Sequence, residues 1–217
     1  MSNIERVAKY LYSTYPTITP ELTFENDFQM LVAVILSAQC TDKRVNIVTS
    51  KIFPTYKTPA DFLKLTQNEL EQMIYSTGFY HHKAKNILAL CKVLVEEHEG
   101  KLPLTAAELE KLPGVGRKTA NVVASFLYNE QKIGVDTHVL RVTNRLGLVN
   151  VKTPLEVERQ WIKKYPRYLN HDMHFRLVLF GRYHCKAQKP NCTNCALSDI
   201  CKFYKQKQKE VNKNVCR

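Results

Sequence analysis

Lys118 lies in the stretch Leu112-Pro113-Gly114-Val115-Gly116-Arg117-Lys118-Thr119-Ala120. An amine so placed can hold a phosphate or attack an electrophilic carbon. One helical pattern runs into the stretch and another runs out of it. The turn between them is tight. Pro113 pre-sets it, and Gly114 and Gly116 can take positive φ and let another backbone come close. The amides of Gly116, Arg117 and Lys118 then open a helix without intrahelical partners, and the helix dipole favours an anion there. The spacing predicts a phosphate-gripping hairpin with an amine one residue inside the next helix. The alternative is a plain corner between two helices.

A second set of reactive side chains lies near the C-terminus. Cys185, Cys192, Cys195 and Cys201 follow the pattern Cys-x6-Cys-x2-Cys-x5-Cys. Four thiolates in one loop can bind a tetrahedral zinc or a [4Fe–4S] cube. Zinc ribbons usually use two close Cys-x2-Cys pairs. This loop has one, and its wider steps suit the bulkier cube. Lys186, Lys189, Lys202 and Arg182 would offset the negative charge of such a group and leave the surface positive. The remaining cysteines are expected to be two core thiols, Cys40 and Cys91, and one loose tail thiol, Cys216.

The whole chain fits a polyanionic partner. It has 217 residues and a formal net charge of +12, which suits nucleic acid or an anionic membrane surface. Insertion into a membrane is not expected, because the longest apolar run, Leu31 to Leu36, is far too short for a span. The first residues show no signal-peptide layout. A cytoplasmic protein follows, in which cysteines should not form structural disulfides.

The elements that must position these residues read as helices throughout. Ile4, Val7, Ala8, Leu11, Tyr12 and Tyr15 share one helical face. Asp27 to Ala38 is apolar on three sides, as in a buried central helix, and ends in the polar corner Ser37–Asp42. A helix through Val45, Val48, Ile52 and Phe53 follows. Thr66–Glu69 and Thr105–Glu108 are capping boxes, Thr153-Pro154-Leu155-Glu156 adds proline at the first helical position, and Thr58–Asp61 is a weaker version. A helix from about His82 to Glu97 should turn Ala84, Ile87, Leu88, Cys91, Leu94 and Val95 inward. Thr119 to Tyr128, a helix capped by Asp136, and two more around Leu155–Lys164 and His171–His184 complete the set. No segment alternates with period two. The fold class is all-α, with roughly ten helices and short connections. The basic tail from Lys202 is expected to be frayed.

The hairpin, the later Val135-Asp136-Thr137-His138 and the cysteine quartet, in that order, resemble the endonuclease III family of DNA glycosylases, in the helix-hairpin-helix superfamily. The resemblance runs from the first helix to Cys201. It implies two all-α lobes with a DNA groove between them: a six-helix domain over residues 21–131, and a discontinuous domain from residues 1–20 and 132–217 that carries a [4Fe–4S] cluster on the four cysteines. It implies a bifunctional DNA N-glycosylase of base excision repair. Such an enzyme removes oxidised or damaged pyrimidines from double-stranded DNA and cleaves the abasic site by β-elimination. The expected setting is a monomer in the cytoplasm, at the bacterial nucleoid.

The resemblance also implies roles. Lys118 would be the nucleophile, attacking C1′ of the sugar and forming a Schiff base. A helix N-terminus and a cationic surface favour a neutral, nucleophilic amine. Asp136 would stabilise positive charge developing on the sugar and assist proton transfer, besides capping a helix. Gln39 would fill the gap left by an extruded base, and Phe79, after Gly78, could serve as a wedge or pack in the core. Gly114, Gly116 and Arg117 would hold the DNA backbone, with Lys186 and Lys189 presented by the cysteine loop. His138 would face the DNA or serve as a satisfied structural histidine. His81 and His82 are left without a role. Relatives that excise adenine or thymine from mispairs generally lack a lysine at the position of Lys118. Cys40 departs from the family's common alanine.

Overall fold

The computed structural model describes residues 1–215, and among them the chain is helical with no strand. It divides into two compact units. One comprises Thr19–Glu130; the other comprises Met1–Ile18 with the residues from Gln131 onward.

The second unit begins with α1 (Asn3–Thr14), started by a capping box in which Ser2 and Glu5 satisfy each other's backbone amides. The Thr19–Glu130 unit then runs through α2 (Asp27–Ser37), α3 (Asp42–Ile52), α4 (Pro59–Phe62), α5 (Gln67–Ile74), α6 (Tyr80–Glu97), α7 (Ala106–Leu109) and α8 (Arg117–Tyr128). A 3-10 turn at Tyr75–Thr77 joins α5 to α6. The chain then completes the second unit with α9 (Thr137–Arg145), α10 (Pro154–Lys164), α11 (His171–Tyr183) and α12 (Lys202–Val215).

Caps decide most helix starts. Full capping boxes form at Thr58–Asp61, Thr66–Glu69 and Thr153–Glu156. At Thr105 only half of the expected box exists. The hydroxyl accepts from the Glu108 amide, while the Glu108 carboxylate takes the Thr105 hydroxyl proton instead of the backbone N–H. The Ala106 amide, one residue on, donates to the Glu130 carboxylate at 2.6 Å.

The core of the Thr19–Glu130 unit is built around α2, whose Leu31, Ala33 and Leu36 are fully buried, with α6 and α8 packed on it. Phe62 stands edge-on to both Phe28 and Tyr56, the arrangement that the ring quadrupoles favour. The inward face of α6 differs from expectation. Val95 is 39% exposed, whereas Leu90 and, more unexpectedly, Lys83 are buried. In the other unit Trp161 is fully buried, and its indole N–H donates to the Tyr168 carbonyl at 3.2 Å.

The basic tail is a helix through Val215, not a frayed end. Two aromatic residues in its first turn, Phe203 and Tyr204, pack on the core of their unit, and the Arg145 guanidinium lies 4.3 Å above the Phe203 ring. Apolar anchoring at the start outweighs the polar composition of the rest. Cys216 lies outside the described residues. Cys91 is a core thiol, pushed up to about 12 by burial, while Cys40 is half-buried.

Candidate active site

The hairpin between α7 and α8 is pinned by its apolar residues. Leu112 and Val115 are buried, and the Val115 amide donates to the Leu112 carbonyl at 3.1 Å. Gly114 takes φ +76°, and a Cβ there would lie 2.7 Å from the Cβ of Asn86 on α6. It must therefore be glycine on two counts, backbone and space. Gly116 does not use its access to positive φ. It is extended, at φ −85°, and a Cβ there would meet nothing within 4 Å. What glycine contributes at this position is open access to the helix start.

That start carries no side-chain cap, because its N-cap residue is Gly116 itself. The Ala120 amide makes the first intrahelical bond, to the Gly116 carbonyl at 2.9 Å. The amides of Arg117, Lys118 and Thr119 precede that ladder and point at the open face. The Arg117 guanidinium is 3.8 Å from the Glu110 carboxylate. Lys118 is exposed, and its amine makes no hydrogen bond or ion pair among the described residues. The arrangement offers an anion site beside an unengaged amine.

Two corners of the same unit present exposed side chains from left-handed backbone. Gln39, after α2, has φ +55°, and Phe79, before α6, has φ +50°. Phe79 is 61% exposed, so the core-packing alternative does not hold. His81 is exposed and bonds through Nδ1 to the Glu71 carboxylate at 2.7 Å, and its ring lies 4.0 Å from that of Tyr80. His82 is exposed.

In the other unit, Asp136 is the N-cap of α9. Its Oδ1 accepts from the Val139 amide at 2.8 Å. His138, on the first turn, is half-buried beside Gly181, where an added Cβ would come within 2.9 Å of the His138 Cβ. The Arg141 guanidinium approaches His138 Nδ1 at 3.1 Å. Since arginine can only donate, Nδ1 accepts and the ring proton sits on Nε2.

The four cysteines border one small cavity, together with Leu146, Phe180 and His184. They are unpaired thiols. Burial raises the Cys195 and Cys201 thiols, and the charges of the neighbouring cysteines raise them further. Among the described residues no three Cys, His, Asp or Glu side chains close around a single-ion position. Four cysteine sulfurs bordering one cavity are a donor set that a zinc ion or an iron–sulfur cluster can use.

Two arginines that the sequence did not flag hold this loop. Arg145 donates to the carbonyls of Lys186 at 2.6 Å and Ala187 at 3.0 Å, and its own carbonyl accepts from Cys201 Sγ. Arg141 donates to the carbonyls of Cys185 and Gly181. Both sit four residues apart on α9, opposite its apolar face, which was the available signal. Lys186 and Lys189 are left exposed on the loop, Lys189 with φ +46°.

Known proteins match this chain over almost its whole length. Residues 32–167 match the HhH-GPD superfamily base excision DNA repair protein family. The chain is 46% identical to endonuclease III of Bacillus subtilis, over 97% of this chain and 96% of that protein. It is 44% identical to endonuclease III of Escherichia coli, over 88% and 90%. A solved trapped endonuclease III–DNA covalent intermediate superimposes with a TM-score of 0.88 at 43% identity, covering 96% of this chain and 99% of that one. A thermostable thymine-DNA glycosylase, 23% identical, shares the fold with a TM-score of 0.82. With hairpin, capping aspartate and cysteine loop all in the matching region or beside it, the chain belongs to the endonuclease III family.

Proposed function

We infer that the protein is a bifunctional DNA N-glycosylase and abasic-site lyase of base excision repair, acting on damaged pyrimidines in duplex DNA. The observation that carries the reading is the unengaged Lys118 amine beside the uncapped start of α8. An endonuclease III has been trapped as a covalent intermediate on DNA. In the proposed chemistry Lys118 Nζ forms a bond to C1′, the N-glycosidic bond breaks, and its electron pair leaves with the base, which takes up a proton. The C1′–O4′ bond then breaks, O4′ takes up a proton released from Nζ, and the opened sugar is held as a Schiff base that acidifies the C2′ hydrogen. Loss of that proton and of the 3′ phosphate oxygen cleaves the strand, and hydrolysis frees the lysine.

Asp136 is the proposed partner. With Oδ1 held by the α9 cap, its second oxygen is available to stabilise positive charge on the sugar. The α8 amides and Arg117, with Gly114 and Gly116 shaping the approach, would grip a backbone phosphate. Gln39 and Phe79 would occupy the space that an extruded base leaves. His138 could add a contact through its Nε2 proton. Cys185, Cys192, Cys195 and Cys201 would hold a [4Fe–4S] cluster, which gives the loop its shape, so that Lys186 and Lys189 face the DNA. The reading includes work as a monomer, in the cytoplasm at the nucleoid.

The decisive experiment is borohydride trapping on duplex DNA containing an oxidised pyrimidine. A covalent adduct with the wild type and none with Lys118→Gln is expected. Adduct formation undiminished in Lys118→Gln would overturn the assignment of the nucleophile. Absence of excision by the wild type across a panel of damaged pyrimidines would overturn the activity. Iron and acid-labile sulfide should be present in purified protein; zinc in their place would remove the cluster.

A further inference from the structure

Lys83 is buried on α6, with 6% of its surface exposed. Its ammonium donates to the carbonyls of Leu36 at 2.8 Å, Ala38 at 2.9 Å and Thr77 at 2.8 Å. Three donors meet three acceptors, so no donor remains for a substrate. Burial pulls this amine below an ordinary lysine, with Cys40 opposing. A charge in the core is costly, and a leucine or methionine would serve mere packing better.

The three carbonyls belong to two corners. Leu36 and Ala38 form the end of α2, immediately before Gln39; Thr77 ends the 3-10 turn, two residues before Phe79. Gln39 and Phe79 are non-glycine residues in left-handed backbone, a conformation disfavoured roughly tenfold for each such residue. Strained backbone persists only where its surroundings over-determine it. The bonds from one ammonium to Ala38 and Thr77 supply that constraint to both corners at once.

We propose that Lys83 is a positioning residue, which locks the Gln39 and Phe79 corners together so that both side chains are preset to fill the space vacated by an extruded base. This rests on the functional reading above. Its consequence separates the two steps of the reaction. Excising a base requires turning a stacked nucleotide out of the duplex. A preformed abasic site has no base to turn out, and its cleavage makes less demand on the two corners.

The test compares single-turnover rates of wild type and Lys83→Met on two duplexes, one with an oxidised pyrimidine and one with a preformed abasic site. Methionine keeps the buried aliphatic length and loses all three donors. Base excision should fall about tenfold for each corner released, while abasic-site cleavage stays within about twofold. Lys83→Arg, which restores N–H donors, should recover part of the difference. In complexes of the Lys118→Gln protein, 2-aminopurine opposite the lesion should lose fluorescence change when Lys83→Met is added. Should Lys83→Met fail to fold, Lys83→Gln, with one amide donor group, is read in the same way. Parallel losses on both duplexes, or an unchanged ratio, would overturn the inference alone. A wild type that cleaves abasic sites but excises no damaged base would instead overturn the functional reading.

Discussion

The α-carbon of Gly114 lies so close to Asn86 that a methyl group on it would fall 2.7 Å from the Asn86 Cβ. The hairpin is therefore seated directly on α6, and its turn admits no side chain there. Gly114→Ala adds left-handed strain to that clash, and should cost about 2–4 kcal/mol of stability. Gly116→Ala meets open space and should cost under about 1 kcal/mol. Its Cβ would nonetheless shield the amides at the start of α8, so it should weaken DNA binding while leaving denaturant midpoints nearly unchanged. Paired urea melts and binding isotherms check both. Equal destabilisation by the two variants would contradict the different roles given to the two glycines.

Asp136 serves as a cap, and its proposed chemistry is separable from that. Asparagine is as good an N-cap as aspartate, whereas alanine costs about 1 kcal/mol. Asp136→Asn should therefore keep its stability and lose excision by about a hundredfold, while Asp136→Ala loses both. Thermal melts beside single-turnover rates distinguish them. Full activity in a stable Asp136→Asn protein would leave the residue as a cap alone.

Acid should destabilise the protein through its capping boxes. The Thr66 amide and hydroxyl hold Glu69 below the ordinary glutamate value of 4.5, and the Thr153 hydroxyl and amide do the same for Glu156. Below that value the unfolded chain binds more protons than the folded one. The stabilisation is present in full above about pH 4.5 and is lost as pH falls through the depressed folded values. Glu156→Gln should flatten this acid limb in urea midpoints measured against pH. A limb of unchanged steepness in both Glu156→Gln and Glu69→Gln would assign acid lability elsewhere.

Salt should report the cysteine loop's part in binding. Lys186→Ala and Lys189→Ala should each lower the slope of log affinity against log salt by about 1, with little change in lesion preference. Slopes identical to wild type would remove these lysines from the DNA-facing set.

Helix starts were legible because caps are local: Thr58, Thr66, Thr153 and Asp136 mark their helices by the residue types at and just after them. The hairpin and the cysteine loop were legible for the same reason, as short motifs. Lys83 was not. It is a charged residue on the inward face of α6, and its three acceptors are backbone carbonyls, which carry no side-chain signature. Arg145 escaped for a similar reason, since it too binds carbonyls. The helix at Lys202–Val215 was misread because a basic composition hid the two aromatic anchors, Phe203 and Tyr204, in its first turn. Gly116 shows that the presence of glycine does not by itself fix the sign of φ.

The Val139 amide engages only one oxygen of Asp136. The same bond thus ties the aim of a carboxylate to the integrity of a single helical turn. Whenever the first turn of α9 melts locally, the carboxylate swings free. The hydrogen-exchange lifetime of one backbone amide, Val139, then becomes a clock for how long this side chain stays aimed between such openings.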